Sequence, residues 1–360
     1  MCLEFIDSCA HSGVGGSAIS VNTKWTSSFE ATYVTTPVRT SGVSLSIVGN
    51  VTKSLAYVNE RYLGCAYYFP SANGAANTMM GFQSGGVIVC YLSIESDNSI
   101  SIRAGNTAPG GTVLWNSGSS GLYITGNVFH YYEFHCLMGG SNPITVTCDL
   151  HVDGQVWATG ITGNTTFAYT ALLCQAVKMN QVFIDGSSGG SFTSNVCDIY
   201  VLNTNTTDLN GNTATATTFL GDCAVNTVIA DADVIIDMNN YGGSPPPTYP
   251  TIDQIPPQND NLYVYDNVVG HVDTFNFQPL IGYPGQILGA QLLIYARKDA
   301  EGTRCIQGLV NGTSQANLYG SQDYLSDYYD YHIWPLDNLN GTPWTPSLYN
   351  AASFGVNLSA

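Results

Sequence analysis

The sequence predicts an all-β protein of the antiparallel sandwich type. Only 10% of its 360 residues are charged and 44% are hydrophobic, whereas long exposed helices are rich in Lys, Glu, Arg and Ala. Short apolar runs recur with the two-residue period of β-strands, and Gly, Asn and Ser residues separate them. Many short strands joined by tight turns are typical of sandwiches.

The first part of the chain shows the clearest strand pattern. Asp153 and Gly154 lie between two alternating runs, and this dipeptide favours the type I′ turn because both of its central residues need a positive φ. Residues 144–158 are therefore predicted to form a β-hairpin. The other predicted strands are residues 2–6, 43–48, 61–69, 85–94, 99–103, 112–115, 130–136, 167–177, 182–184 and 197–202.

The character of the chain changes after Val225. An apolar run at residues 227–236 precedes a proline-rich segment at residues 239–257, which we interpret as an ordered surface connector of limited flexibility. Further strands are predicted at residues 261–264, 273–277, 287–297 and 304–310. We therefore expect two domains, residues 1–222 and a smaller β-sandwich at residues 223–360.

Two elements of the second part have more specific signals. Residues 286–296 are long and apolar, which predicts a central strand. Residues 345–352 are predicted to form a short helix, because Thr345 is a suitable N-cap and Pro346 suits the first helical position.

The charge of the chain limits its partners. The net charge is −17 with only nine basic residues, so binding to nucleic acid is not expected. The same charge disfavours anionic membranes, and no apolar run is long enough to span a bilayer. The first residues lack the basic and apolar regions of a secretory signal peptide.

The ten cysteines leave two interpretations open. They contain no C-x-x-C pair and match no zinc spacing, so they are either buried free thiols or disulfides formed in an oxidising medium. Candidate disulfide pairs are Cys136 with Cys148 and Cys197 with Cys223.

Two groups of polar residues are candidates for chemistry. His130, Glu133 and His135 lie close together, with Glu133 and His135 on one strand face and His130 on the other. A metal or acid–base site needs a third ligand and a pocket, so a structural role is favoured. Clustered carboxylates suit Ca²⁺, which makes Asp231, Asp233 and Asp237 a weak candidate site; no other cofactor is predicted.

The sequence contains no motif for an activated nucleophile and no carboxylate pair that we can assign to glycoside cleavage, so we expect no enzyme. A recognition surface is predicted instead in the tyrosine-rich residues 319–334, where aromatic side chains suit a protein interface and also suit sugar stacking. Its candidate residues are Tyr319, Tyr324, Tyr328, Tyr329, Tyr331 and Trp334.

The opening LEFIDSCAHSG…TKWTS resembles the start of a family of tailed-bacteriophage and prophage virion proteins. Similar marks are GVIVCYLSI, SISIR, FHYYEFHC…VTCDLHVDGQVW and DIYVLN…FLGD, followed by YPTIDQIPPQNDNLYVYD, ILGAQLLIYARKDAEGTRCIQGLV and GTPWTPSLYNAASFGV. The resemblance implies that residues 1–222 form a concanavalin A-like (laminin G-like) jelly roll. Some laminin G-like domains bind Ca²⁺, which keeps the aspartate hypothesis open.

The resemblance implies a non-enzymatic structural protein on the surface of a phage particle, made in the host cytoplasm without a signal peptide. It would be a capsid decoration or head-fibre protein, or a tail- or baseplate-associated component. Its partners would be other virion proteins and further copies of itself in a homo-oligomer. The alternative is an adhesin whose jelly roll binds host surface glycan.

Overall fold

The structure is a computed structural model that describes residues 2–9, 24–39, 43–69, 76–105, 110–140, 144–165, 178–186, 193–205, 209–211, 218–243, 247–255, 257, 259–281, 286–299, 301–318 and 323–359. These residues form twenty-three β-strands and one α-helix. The prediction of an all-β fold is confirmed. The strand predicted at residues 167–177 lies outside the described part of the chain.

Thirteen strands form the N-terminal sandwich. They are β1 Cys2–Asp7, β2 Ser27–Val34, β3 Ser44–Val58, β4 Glu60–Tyr68, β5 Asn77–Ser84, β6 Val87–Ile94, β7 Ile100–Ala104, β8 Thr112–Asn116, β9 Phe129–Gly139, β10 Ile144–Val152, β11 Gln155–Thr165, β12 Met179–Asp185 and β13 Ser194–Asn203. Hydrogen bonds connect them in the order β11-β10-β9-β4-β13-β3-β12-β5-β6-β7-β8, with β1 on β13 and β2 on β3.

This continuous sheet folds over on itself into two layers. Its two ends meet, because Leu114 of β8 packs where a side chain at Gly163 of β11 would otherwise lie. Phe82 of β5 faces Phe134 of β9 across the interior, with ring centroids 5.4 Å apart. The result is a sandwich with one apolar core, which the alternating strand residues fill.

The predicted hairpin is present as β10 and β11. Val152 pairs with Gln155, and the turn residues Asp153 and Gly154 have φ values of 52° and 74°. Both central residues therefore have the positive φ that the type I′ turn requires.

Ten further strands and the helix form the C-terminal unit. They are β14 Ala230–Ile236, β15 Asn239–Tyr241, β16 Tyr263–Tyr265, β17 Val272–Phe277, β18 Ala290–Ala296, β19 Cys305–Val310, β20 Thr313–Ser314, β21 Asp323–Tyr324, β22 Asp330–Leu336, α1 Pro346–Ala351 and β23 Phe354–Leu358. A six-stranded sheet has the order β14-β17-β23-β19-β20, with β21 on β19, and β15-β16 and β18-β22 are two-stranded ribbons.

The helix is as predicted, since the Thr345 side chain accepts a hydrogen bond from the Leu348 amide and Pro346 begins the helix. The central strand predicted at residues 286–296 is wrong. The strand within it, β18, pairs with β22 and with no other described strand. The apolar character of β18 has another cause, because Leu292 belongs to the second core and Leu293 packs against the first.

Two cores correspond broadly to the two parts of the chain. The first core contains residues of β1–β13 together with Ile333 of β22. The buried residues of the second core all lie between positions 292 and 358. Strand β1 lies between them, where the Gln291 amide group accepts from Ile6 N at 3.0 Å and donates to Ile6 O at 3.1 Å. A domain boundary at residues 222 and 223 stays a prediction.

Residues 218–229, here called the connector segment, lead from the sandwich to β14 without forming a strand. The proline-rich segment is not a simple linker, because it contains β15 and a 3₁₀ turn at Tyr249–Thr251. Both Asp233 oxygens accept backbone N–H groups from it, at 2.6 Å and 2.7 Å. This segment is therefore folded onto the C-terminal unit.

Candidate functional site

The two parts of the opening motif meet in the structure. The Asp7 carboxylate, fully buried on β1, accepts hydrogen bonds from Lys24 Nζ at 3.2 Å and from Trp25 Nε1 at 2.9 Å. The Trp25 ring packs edge-on against Phe5 with ring centroids 5.2 Å apart. These residues stabilise the core and are not accessible to a ligand.

A polar row crosses the outer face of the sandwich on four neighbouring strands. Pairing places Tyr200 of β13 beside Gly64 of β4, Gly64 beside Glu133 of β9, and Glu133 beside His151 of β10. A Cβ at Gly64 would lie 2.1 Å from the Tyr200 ring, so glycine leaves the space in which this ring lies. The Tyr200 hydroxyl thereby reaches Glu133 Oε1 at 2.5 Å.

A second row lies next to the first and centres on His135. Its Nδ1 is 2.6 Å from Asp149 Oδ2, and its Nε2 is 2.9 Å from Glu60 Oε1. The Tyr62 ring stacks on the imidazole at 4.2 Å. Burial opposes ionisation of Asp149, but hydrogen bonds from the Gly160 amide, His135 and Thr159 outweigh it and lower the pKa of Asp149. Burial, with Glu60 and Asp149 nearby, raises the pKa of Tyr62 to about 12.

The connector segment covers these rows. The Gly221 amide donates to Glu133 Oε1 at 2.7 Å, and the Leu220 amide donates to the Tyr200 hydroxyl at 3.3 Å. The Phe219 ring lies on His151 with centroids 4.1 Å apart. Glu133 is 1% exposed, so the rows are closed to solvent at their centre.

A further buried acid holds the same segment. Asp198 Oδ1 accepts from the Val225 amide at 2.8 Å, and its Oδ2 pairs with Arg39 at 3.0 Å. Arg39 also donates to the Cys223 carbonyl at 2.9 Å and pairs with Asp222. These groups and the two rows form what we call the anchoring network, because their hydrogen bonds fix the connector segment on the sheet.

The predicted strand faces are correct for the histidines of β9. Glu133 and His135 share the covered face, whereas His130 lies apart and bonds Asp153 at 2.6 Å and the Thr125 carbonyl at 3.1 Å. The sequence analysis did not connect Glu133 with Tyr200 or His151, nor His135 with Asp149. Alternation along β10 does place Asp149 and His151 on one face, so the register of β9 with β10 would have revealed the Glu133–His151 and His135–Asp149 pairs.

The candidate calcium residues do not come together as a ligand group in the described part of the chain. Asp233 accepts two backbone N–H groups, and Asp237 Oδ2 accepts the Val272 amide at 3.2 Å. Both carboxylates therefore hold neighbouring backbone within the C-terminal unit.

The eight cysteines whose side chains the structure describes, including Cys136, Cys148, Cys197 and Cys223, are free thiols. Cys136 and Cys148 face each other on paired strands, in agreement with their predicted proximity. Cys197 is fully buried, and Cys223 is half-buried within the connector segment. Neither candidate pair is joined by a disulfide here.

The C-terminal unit contains a partly exposed tyrosine cluster, formed by Tyr241, Tyr263, Tyr265, Tyr295, Tyr329 and Tyr331. The rings of Tyr241 and Tyr263 stack at 4.9 Å, and those of Tyr295 and Tyr329 stack at 5.1 Å. Alternation along β16 places Tyr263 and Tyr265 on one side of the strand. The sequence offered this signal in Tyr263-Val264-Tyr265, but it was overlooked.

An ion pair lies against the cluster. Arg297 donates to Asp260 Oδ1 at 2.9 Å, and its guanidinium lies 5.1 Å from the centre of the Tyr329 ring. The Tyr329 hydroxyl donates to the same Asp260 oxygen at 2.9 Å. Hydrogen bonds from Arg297 and Tyr329 lower the pKa of Asp260, so the pair stays charged at neutral pH.

A cavity of about 850 Å³ adjoins this pair. Tyr263, Tyr295 and Tyr329 line it together with apolar residues of both parts of the chain, among them Leu3 and Ile294. Its volume falls in the range of small-molecule sites, roughly 300–1,000 Å³.

The predicted recognition residues of segment 319–334 differ in their exposure to solvent. Tyr324 and Tyr328 are exposed, and Tyr329 is partly exposed within the cluster. Tyr331 is buried under the Tyr295 ring at 4.6 Å. Including Trp334 was wrong, because its side chain is fully buried in the second core; Tyr319 lies outside the described residues.

No protein-family profile matches the chain, and no curated protein sequence matches it. Solved structures of similar fold include an endo-β-1,4-glucuronan lyase from Trichoderma reesei, with 10% identity, a TM-score of 0.37 and coverage of 56% of this chain and 96% of the lyase. A PL-14 alginate lyase from Aplysia kurodai has 13% identity, a TM-score of 0.37 and coverage of 56% and 99%. A Trypanosoma rangeli sialidase has 14% identity, a TM-score of 0.32 and coverage of 48% and 27%.

These similarities concern the β-sandwich fold. They contradict our expectation that the chain is not an enzyme, because the structurally similar chains include two polysaccharide lyases and a sialidase.

No helix among the described residues is both long and apolar enough to cross a membrane.

Proposed function

We propose that this chain is a structural protein of a tailed-bacteriophage or prophage virion, carried in many copies on the particle surface. It would serve as a capsid decoration or head-fibre protein, or as a tail- or baseplate-associated component. The resemblance of the opening and strand motifs supports this setting. The tyrosine cluster supports the mode of action, which is contact with other virion proteins and with further copies of the chain.

The single observation that carries the proposal is the tyrosine cluster, in which Tyr241 and Tyr265 are exposed and Arg297 lies over the Tyr329 ring. Tyr and Arg are the residues that most often anchor protein interfaces, because they combine a large contact area with hydrogen bonding. Tyr241 is 53% exposed and Tyr265 is 49% exposed, so both rings are available to a partner. Asp260 and Tyr329 already hold the Arg297 guanidinium, which reduces the entropy lost when a partner binds.

The charge distribution also favours contacts made by tyrosine. Among the described residues, Lys24, Lys53 and Arg61 are buried together with seven acidic residues, and the large excess of acidic residues in the chain still leaves the surface acidic. Two copies of the chain therefore repel each other at long range, and their contact needs aromatic surface more than opposite charges. The same repulsion would keep assembled particles apart in solution.

The first experiment is immunogold electron microscopy of particles from a lysate of cells that carry the gene, with antibody against this protein. Label on the head would identify a decoration or head-fibre protein, and label at the tail would identify a tail or baseplate component. Purified particles that contain neither label nor the protein by mass spectrometry would overturn the proposal.

A second candidate function is binding of host surface glycan, as an adhesin. The specific observation in its favour is the cavity beside the stacked tyrosines and the Arg297–Asp260 pair, since sugars stack on aromatic rings and bond charged groups. We therefore propose the glycan site in the C-terminal unit, since the connector segment covers the polar rows of the N-terminal sandwich. Glycan-array binding that a Tyr329→Ser variant loses would favour this function.

A further inference from the structure

Three cysteine thiols converge in the middle of the N-terminal sandwich. Cys136 of β9 and Cys148 of β10 are direct cross-strand partners in one layer. Cys90 of β6 reaches them from the opposite layer, because β6 and β9 are not neighbours in the sheet. The three sulfurs lie within 4.8 Å of one another, and all three residues are fully buried.

We propose that Cys90, Cys136 and Cys148 form a binding site for one thiophilic divalent cation of the zinc type. Among the described residues, this is the one place where three or more metal-ligating side chains converge. Sulfur donors select soft or borderline cations over hard ones such as Ca²⁺ and Mg²⁺. The site is independent of the proposed role in a virion.

The spacing of the sulfurs suits three-coordinate binding. Zinc–sulfur bonds are about 2.3 Å long, so three sulfurs around one ion in a plane lie about 4 Å apart. The observed limit of 4.8 Å requires a contraction of less than about 1 Å, which side-chain rotation on the three strands can supply.

Charge selects the valence of the ion. The surroundings are apolar, and an uncompensated charge there is costly. Three thiolates around a divalent cation leave one negative charge, whereas a monovalent cation leaves two, so the divalent ion is preferred. Each thiol that binds the ion gives its proton to solvent, and affinity therefore rises with pH.

A bound ion would cross-link the two layers of the sandwich. Because the site is fully buried, the ion must enter while the chain folds. Metal bound only by the folded state adds its binding free energy to the stability of that state. Stability should therefore depend on the metal that is present during refolding.

The test uses the full chain, unfolded under reducing conditions and refolded with or without Cd²⁺, a spectroscopic substitute for zinc. We expect a thiolate-to-cadmium charge-transfer band at one ion per chain and a higher unfolding midpoint. Cys90→Ser and Cys148→Ser should each weaken the band at least tenfold, whereas the matched buried control Cys65→Ser should retain it.

Peptide-resolved alkylation keeps the proposal testable if a variant fails to fold. In the wild-type chain under mild denaturant, Cd²⁺ should protect Cys90, Cys136 and Cys148 and leave the rate at Cys65 unchanged. The proposal is overturned if no charge-transfer band appears, if Cys65 is protected equally, or if Cys136 and Cys148 are recovered as a disulfide from chain that binds no metal.

Discussion

In the N-terminal sandwich, acidic, basic and tyrosine side chains on the outer face are buried and bonded to one another; in the C-terminal unit, the same kinds of side chain remain partly exposed. Glu133 and Tyr200 are each 1% exposed. By contrast, the Asp260 side chain is 68% exposed, and Tyr265 is 49% exposed. Similar residue types thus occupy two very different environments.

The comparison indicates that the degree of burial determines whether a cluster of charged and tyrosine side chains can contact a partner. In the anchoring network, Glu133 and Asp198 bind backbone amides of the connector segment, so their hydrogen bonds fix the chain where it leaves the sandwich. In the tyrosine cluster, Arg297 and Asp260 bind each other, and the rings of Tyr241 and Tyr265 remain about half exposed. The first cluster supports structure, and the second is suited to recognition.

The largest expected effect is that of Gly64→Ala. The added Cβ would lie 2.1 Å from the Tyr200 ring, so the ring must move and its bond to Glu133 is lost. We expect a loss of about 3 kcal/mol in the free energy of unfolding, measured by urea denaturation. Gly139→Ala on β9 is the matched control, because its Cβ meets only the Thr145 hydroxyl at 3.2 Å. Equal losses for the two variants would contradict the role of Gly64.

Tyr200→Phe should have a smaller effect. It removes the hydroxyl that donates to Glu133 and accepts from the Leu220 amide, which should cost about 2 kcal/mol. Hydrogen exchange at the Leu220 and Gly221 amides should accelerate as the connector segment loosens. Tyr123→Phe, at a 53% exposed position, is the control and should change neither quantity. Unchanged exchange in Tyr200→Phe would show that the hydroxyl does not hold the segment.

A pH effect of about 1 kcal/mol is expected from Lys53. Burial, together with the charge of nearby Lys24, lowers the pKa of Lys53 to about 7. The unfolded chain, with a lysine pKa near 10.4, then binds more protons than the folded chain above pH 7, so this residue makes stability rise with pH. From pH 7 to 8 the gain should be about 1 kcal/mol.

Lys53→Met is the variant that checks this assignment by denaturation at both pH values. It should lack this part of the pH dependence, since methionine does not titrate. An identical slope in wild type and Lys53→Met would assign the effect to another group.

The smallest effect on stability, and the largest on binding, is expected from the tyrosine cluster. Tyr265→Ser lies at an exposed position and should change the unfolding free energy by less than about 0.5 kcal/mol. The same change should reduce incorporation into particles at least tenfold. Tyr57→Ser, 40% exposed on the N-terminal sandwich, is the control for loss of a surface tyrosine. Equal incorporation of both variants would show that the tyrosine cluster takes no part in assembly.

Local signals in the sequence predicted local structure well. The Asp153-Gly154 turn and the Thr345 cap involve residues only a few positions apart, and both are present. Strand β18 was predicted to be a central strand because it is apolar, but its apolar residues are divided between two cores. That division depends on contacts with distant parts of the chain, which periodicity does not encode.

In the candidate sites too, local features were predictable and contacts between distant residues were not. Alternation placed Glu133 and His135 on one face, but the Tyr200–Glu133 contact depends on pairing of β4 with both β9 and β13. Trp334 was predicted as a recognition residue because aromatic enrichment does not distinguish core from surface. Trp334 on β22 is buried, whereas Tyr328 is exposed. This difference in burial results from the packing of the whole C-terminal unit.

The most direct test of the contrast between the two clusters is hydroxyl-radical footprinting of tyrosines in the free chain and in assembled particles. The account predicts that Tyr241 and Tyr265 are oxidised in the free chain and protected in particles, whereas Tyr200 is protected in both. Rapid oxidation of Tyr200 in the free chain, or equal oxidation of Tyr265 before and after assembly, would contradict it.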